Sequence, residues 1–136
     1  MVEMDQELLL RASFLEQQSK ELHENLELLD SQIQELSDFS LSLDFLINSD
    51  KKEVLSNLGK GVYLSTNISD KKLFVQVGSG IVVRKTPEDT KKIIESQLLR
   101  LQEARFQLIS QIEIYNSSLR ETISNIEKSM EKKQKQ

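Results

Sequence analysis

From Asp5 to Ile47 a leucine returns every seventh residue, as Leu8, Leu15, Leu22, Leu29, Leu36 and Leu43. Four residues after each stands Ala12, Ser19, Leu26, Ile33, Ser40 or Ile47. This 4-3 alternation draws one stripe along a helix, the seam of a coiled coil with Leu at d and a mixed a column. The pattern predicts a helix over residues 5–48. At 1.5 Å per residue a run of roughly 43 residues is about 65 Å long, more than a globule of this size can contain, so the helix must project.

A second stripe of the same spacing runs through Ile94, Leu98, Leu101, Leu108, Ile112, Tyr115, Leu119 and Ile126, and predicts a helix over 87–131. Arg105 and Thr122 fall on its seam, where a polar residue fixes register at some cost in stability. Thr86-Pro87-Glu88-Asp89 is a start signal: Thr as N-cap, Pro at the first helical position, then acids at the positive end of the helix dipole. Residues 132–136 form a polar tail expected to fray, with lysines that suit a helix C-terminus. The two arms are nearly equal in length. If the chain reverses between them, they zip antiparallel and each covers the other's stripe.

Between the arms the period changes to two. Val54–Leu58 is closed by Gly59-Lys60-Gly61, Val62–Ile68 alternates, and Ser69-Asp70-Lys71 makes a turn. Leu73–Val77 and Ile81–Lys85 flank Gly78-Ser79-Gly80. Four β-rich runs with turns between them read as two successive β-hairpins over 53–85. Four short strands cannot enclose a core, and two helices shield part of one face, so the sheet must complete itself with strands of other subunits. Val62, Leu64, Phe74, Val75, Val77, Ile81 and Val83 are the candidates for barrel core and subunit contacts. Alternation lets only one face of each strand be interior.

Composition narrows the chemistry. The chain's 136 residues fit one domain over 1–136 and include no Cys or Trp, one Pro and four Gly; these breakers all lie between Gly59 and Pro87. Without cysteine there is neither a disulfide nor a thiolate metal site, which suits a reducing cytoplasmic setting. The net charge is −4 with acids and bases interleaved, so nucleic acid finds no basic footprint. No apolar run is long enough for a membrane span, and the first residues lack the pattern of a secretory signal. His23, alone, follows a d leucine and is expected to be a solvated helix residue. Gly78-Ser79-Gly80 lacks the Lys-Ser/Thr of a phosphate-binding loop. No nucleophile, base cluster or cofactor site emerges, and the chain is not expected to be an enzyme.

The order helix, two hairpins, helix, with coiled-coil arms, resembles the prefoldin family over essentially the whole chain. Val77-Gly78-Ser79-Gly80-Ile81-Val82-Val83-Arg84-Lys85-Thr86 is similar to the family's segment entering the second helix. Val54–Tyr63 is similar to its first hairpin, with Asn57 where the family pattern usually has proline. Two hairpins point to the α class. The resemblance implies an α+β fold: a long antiparallel α-helical coiled coil with two central β-hairpins that join an intersubunit β-barrel. It further implies two α with four β prefoldin subunits in a hexamer, an archaeal source, and an ATP-independent chaperone. Such a chaperone grips unfolded client proteins at its coiled-coil tips for delivery to a group II chaperonin.

With antiparallel arms the termini meet at the tip. Its apolar residues are Met1, Val2, Met4, Leu8, Leu9 and Leu10 from one arm, with Ile123, Ile126 and Met130 from the other. Three consecutive leucines cannot all enter one seam, so some apolar surface stays exposed there, as at many binding sites. Leu8 and Ile126 are also seam residues with a structural part to play. A scaffold or tether for one defined partner, or a filament-forming prefoldin-like protein, fits the same pattern.

Overall fold

The computed structural model describes residues Val2–Gln134, with side chains from Asp5 on. The order of elements is α1 (Val2–Asn48), β1 (Glu53–Gly59), β2 (Val62–Asn67), β3 (Leu73–Gly78), β4 (Ile81–Lys85) and α2 (Pro87–Gln134). Helix α1 begins earlier than its heptad suggested, and α2 continues through Lys132 and Lys133, where the sequence suggested a fraying tail. Those two lysines sit in the last turn, facing the negative end of the helix dipole, and Lys133 is also bonded to Asp5.

The chain forms two compact units, one holding α1 up to Ile33 with α2 from Arg100, the other Gln34–Leu99. In the first, the helices run antiparallel. Besides the Lys133–Asp5 bond, three cross-helix bonds mark their register: Ser129 Oγ to Asp5 Oδ1 at 2.5 Å, Ser19 Oγ to Asn116 Oδ1 at 3.0 Å, and Arg105 Nε to Asp30 Oδ1 at 2.6 Å. Leu15 and Ile112 are buried, while Leu8, Leu22, Leu29, Leu108, Leu119 and Ile126 are half-buried. The seam is thus a narrow zipper.

Its polar members behave differently from one another. Thr122 is only 3% exposed, yet its hydroxyl donates to the Ser118 carbonyl of its own helix at 2.8 Å. It therefore satisfies itself and cannot specify a partner on α1. Arg105 leans out of the seam to an exposed ion pair with Asp30. The buried cross-helix hydrogen bond is made instead by Ser19, 7% exposed, with Asn116.

In the second unit Leu43, 2% exposed, and Ile94 form the buried apolar centre, and Lys91 pairs with Asp44 at 2.5 Å. Thr86 caps α2: its Oγ1 accepts the Asp89 N–H at 3.1 Å, and Pro87 follows at the first helical position. Strands β1 and β2 pair antiparallel, as do β3 and β4, in two separate sheets. Each hairpin turns through Gly-x-Gly. Lys60 and Gly61 have φ of 52° and 78°, and Ser79 and Gly80 have 49° and 74°. Positive φ at both central residues is what a two-residue turn needs to match strand twist. Asn57 stabilises the first turn, because its side-chain oxygen accepts the Gly59 N–H at 2.8 Å.

The link between the hairpins also finishes α1. No basic residue lies in that helix's last turn, and Lys71 supplies the cation. Its ammonium donates to the Ile47 and Ser49 carbonyls at 3.3 and 2.8 Å, groups a helix end leaves without partners.

Candidate functional site

The hairpins carry the densest exposed apolar surface. In the second, Leu73↔Lys85 and Val75↔Val83 are cross-strand pairs on one face, and all four are half-buried. Leu73 and Val75 line a groove of about 530 Å³ with Phe39, Leu46 and Ile93 of the helices. The other face is open. Phe74 is 72% exposed, opposite Arg84, whose guanidinium lies 5.2 Å from the ring centroid. Val82 is exposed on that face, and near the turn Val77 and Ile81 are exposed although they follow the alternation of Val75 and Val83.

The first hairpin is barer still. Only Val54 and Thr66 on its strands are half-buried. Register puts Leu64, paired with Ser56, on one face, and Leu55 and Tyr63 on the other. Val62, Leu64, Leu55, Leu58 and Tyr63 are all exposed. Of the residues read from the sequence as assembly candidates, then, Val75 and Val83 turn toward the helices. Val62, Leu64, Phe74, Val77 and Ile81 are exposed. Leu55, Leu58, Tyr63 and Val82 join that exposed set. Sequence reading passed over these four, and in β1–β2 both faces carry exposed apolar residues.

Asp70 organises the turn between the hairpins. One oxygen accepts the Lys72 N–H at 2.7 Å and the other the Arg84 guanidinium at 2.8 Å. The Lys72 N–H, followed by the Arg84 bond, holds the Asp70 carboxyl below its ordinary range.

At the end of the helical pair containing Asp5 and Lys133, the heptad assigns the candidate residues distinct places. Leu8 and Ile126 are half-buried in the seam. Leu9, Ile123 and Met130 occupy flanking e positions and are exposed, at 54%, 43% and 60%. Leu10 lies away from the seam at an f position, and Phe14 beside it on the next turn; both are exposed. Met1 and the side chains of Val2 and Met4 lie outside the described residues. Asp5 closes this end, accepting from Ser129 and from the Lys133 ammonium, and the Lys133 bond is the main reason its carboxyl titrates below the usual range. Lys91 is pushed the other way, above the ordinary lysine value, by its bond to Asp44.

Among the described residues no group of His, Cys and acids could hold a metal ion, and His23 is exposed. No described helix is long and apolar enough to cross a membrane.

Paired antiparallel helices with two small hairpins between them define an α+β coiled-coil fold whose unsatisfied surfaces are the hairpins and the helix ends. The family model for the prefoldin subunit matches residues 15–136, and the chain belongs to the prefoldin family. Among solved structures, the fold is similar to a filamentous prefoldin from Methanocaldococcus jannaschii, determined by cryo-electron microscopy. The TM-score is 0.70 at 22% identity, covering 85% of this chain and 97% of that one. A search among curated proteins gave no match. Prefoldins are a family of chaperone type whose subunits form oligomeric assemblies with one another.

Proposed function

We propose that this chain is an α-class subunit of an ATP-independent cytoplasmic chaperone. Two copies join four β-class subunits through their hairpins, bind non-native proteins at the helix ends, and pass them to a group II chaperonin. The observation that carries the assembly part is the hairpin pair itself. Its exposed Leu55, Leu64, Phe74 and Ile81 and its unpaired strand edges are the surface that strands of another subunit would cover. The client part is supported by Leu9, Ile123 and Met130, exposed on a two-helix platform that needs none of them for its seam. Methionine and leucine suit broad, weak contacts, because flexible apolar side chains adapt to many partners.

Native mass by light scattering, with and without a β-class subunit, tests the assembly. A defined complex of about six chains is expected. A monomer that ignores the partner refutes it. Aggregation of a denatured client, compared between wild type and a Leu9→Ser, Ile123→Ser, Met130→Ser variant of equal mass, tests the contact surface. Equal suppression by both excludes those residues.

The second reading is a homotypic filament. It is favoured by the filamentous assembly of the similar M. jannaschii protein and by two hairpins with open edges on one chain. Mass that grows with concentration in the isolated chain, instead of stopping at a fixed size, would select it.

A further inference from the structure

At the end of the helical pair the seam changes character. The a and d repeat, elsewhere mostly Leu and Ile with isolated polar members, arrives at Asp5 on α1 and at Ser129 and Lys133 on α2. Ser129 and Lys133 are four residues apart, on one face of the helix, and both bond to the Asp5 carboxylate. The layer next to this cluster contains Leu8 and Ile126, half-buried, while Leu9, Ile123 and Met130 on the flanks are already exposed. An apolar layer here would hold the ends shut regardless of salt. A partly exposed ion pair holds them weakly, and less so as ions screen it.

We propose that Asp5 is a positioning residue for client contact: its bonds to Ser129 and Lys133 form a latch that keeps Leu8 and Ile126 covered, and release of the latch adds them to the exposed Leu9, Ile123 and Met130. The latch rests on the reading of this end as the client-contact surface and supplies its regulation. In the latched state the surface is three flanking side chains. In the released state two seam side chains join it, so a longer apolar stretch of a non-native chain can be held. Ionic strength sets the balance between the two states.

The test uses the full chain in its native assembly. Hydrogen exchange around Leu8–Ala12 and Ile126–Met130 is measured for wild type, Asp5→Asn, Lys133→Gln, the double variant and Lys133→Arg. Low salt is compared with about 0.5 M, where screening acts over a few ångström. Either single neutral variant should speed exchange about twofold to fivefold at low salt, the range an exposed ion pair allows. The double should be no faster than the faster single, because one interaction is lost in each. Lys133→Arg should stay near wild type, and high salt should bring wild type to the level of Asp5→Asn. Client retention by Asp5→Asn at low salt should rise in step with exchange. Multiplying effects in the double would trace the change to separate helix-end effects and overturn the latch. So would unchanged exchange in the singles, or faster exchange without any change in client retention. A wild-type chain that retains no client at any salt rejects the functional reading instead, and exchange still reports on the latch separately.

Discussion

Ser19 and Asn116 offer the clearest test of how the arms choose their alignment. Ser19 is 7% exposed and donates to Asn116 at 3.0 Å, while Asn116 is half-buried. Replacing Ser19 by Ala leaves the Asn116 oxygen short of a donor, at a cost of about 1–3 kcal/mol when water cannot reach it. Partial exposure of Asn116 places the cost near the lower end. Alanine returns roughly 0.5 kcal/mol of helix propensity. The net loss should therefore be about 0.5–1 kcal/mol, or roughly a twofold to fivefold rise in the local opening constant. Asn116→Ala mixes the same two effects, so neither single variant isolates the bond. A double-mutant cycle does, because the propensity gains cancel. The expected coupling between the two positions is about 0.5–1.5 kcal/mol. Native-state hydrogen exchange near both residues is the suitable assay, since global stability of an oligomer also depends on protomer concentration. Additive singles, with coupling indistinguishable from zero, would refute the assignment of register to this pair. Thr122→Ala provides a contrast: its hydroxyl bonds within α2, so it should show no coupling to Ser19.

Three further outcomes follow from other parts of the chain. Leu43→Ala empties the most buried apolar position of its unit and should cost about 2–4 kcal/mol, read from denaturant unfolding at fixed protomer concentration. Gly61→Ala and Gly80→Ala put a Cβ where φ is 78° and 74°, and should each destabilise their hairpin by about 1–2 kcal/mol; Lys60→Gly, relieving φ of 52°, should not, and exchange of the strand amides distinguishes them. Asp70, whose carboxyl is held below its ordinary value near 3.8, contributes stability that is fully present above that value and lost as pH falls through the lowered one. Acid titration of β3–β4 protection should therefore show a step below about pH 4 in wild type that Asp70→Asn lacks.

Much of this fold is written in periodicity. The 4-3 spacing named the α1 seam, and each of those positions, from Leu8 to Ile47, is buried or half-buried. The N-cap at Thr86 was equally legible, since cap chemistry is local. Register was not. The sequence drew attention to Arg105 and Thr122 because they interrupt an apolar stripe. The residue that completes the buried cross-helix bond is Asn116, which lies beside the stripe, and its importance depends on which residue of α1 comes opposite. One helix's pattern does not contain that information. The Lys133 bond was not legible for a related reason: it depends on Asp5 standing across from it. In the hairpins, alternation identified strands but not which faces would be covered. Asn57, a departure from the family's usual proline, has a local role that its type suggests, as acceptor for the Gly59 amide. The exposure of Leu28 and Phe106 along the helices has no structural explanation here.

The two hairpins are not equally self-sufficient, and this bears on how the subunit folds. Hairpin β3–β4 has one face against the helices and an Arg84–Asp70 bond reaching back to the preceding turn. Hairpin β1–β2 is held by its backbone ladder, by the Asn57 turn and by Thr66, whose hydroxyl donates to the Val54 carbonyl at 3.0 Å. A lone two-stranded hairpin is marginal in water. Burying one of its exposed leucines fully contributes about 1.5–3 kcal/mol, as much as several surface hydrogen bonds provide together. The order of β1–β2 therefore depends mainly on whatever covers Leu55, Tyr63 and Leu64. In the assembly proposed above, that cover would come from a neighbouring subunit. Assembly and completion of this hairpin are then one event, and a substitution that weakens either one weakens both.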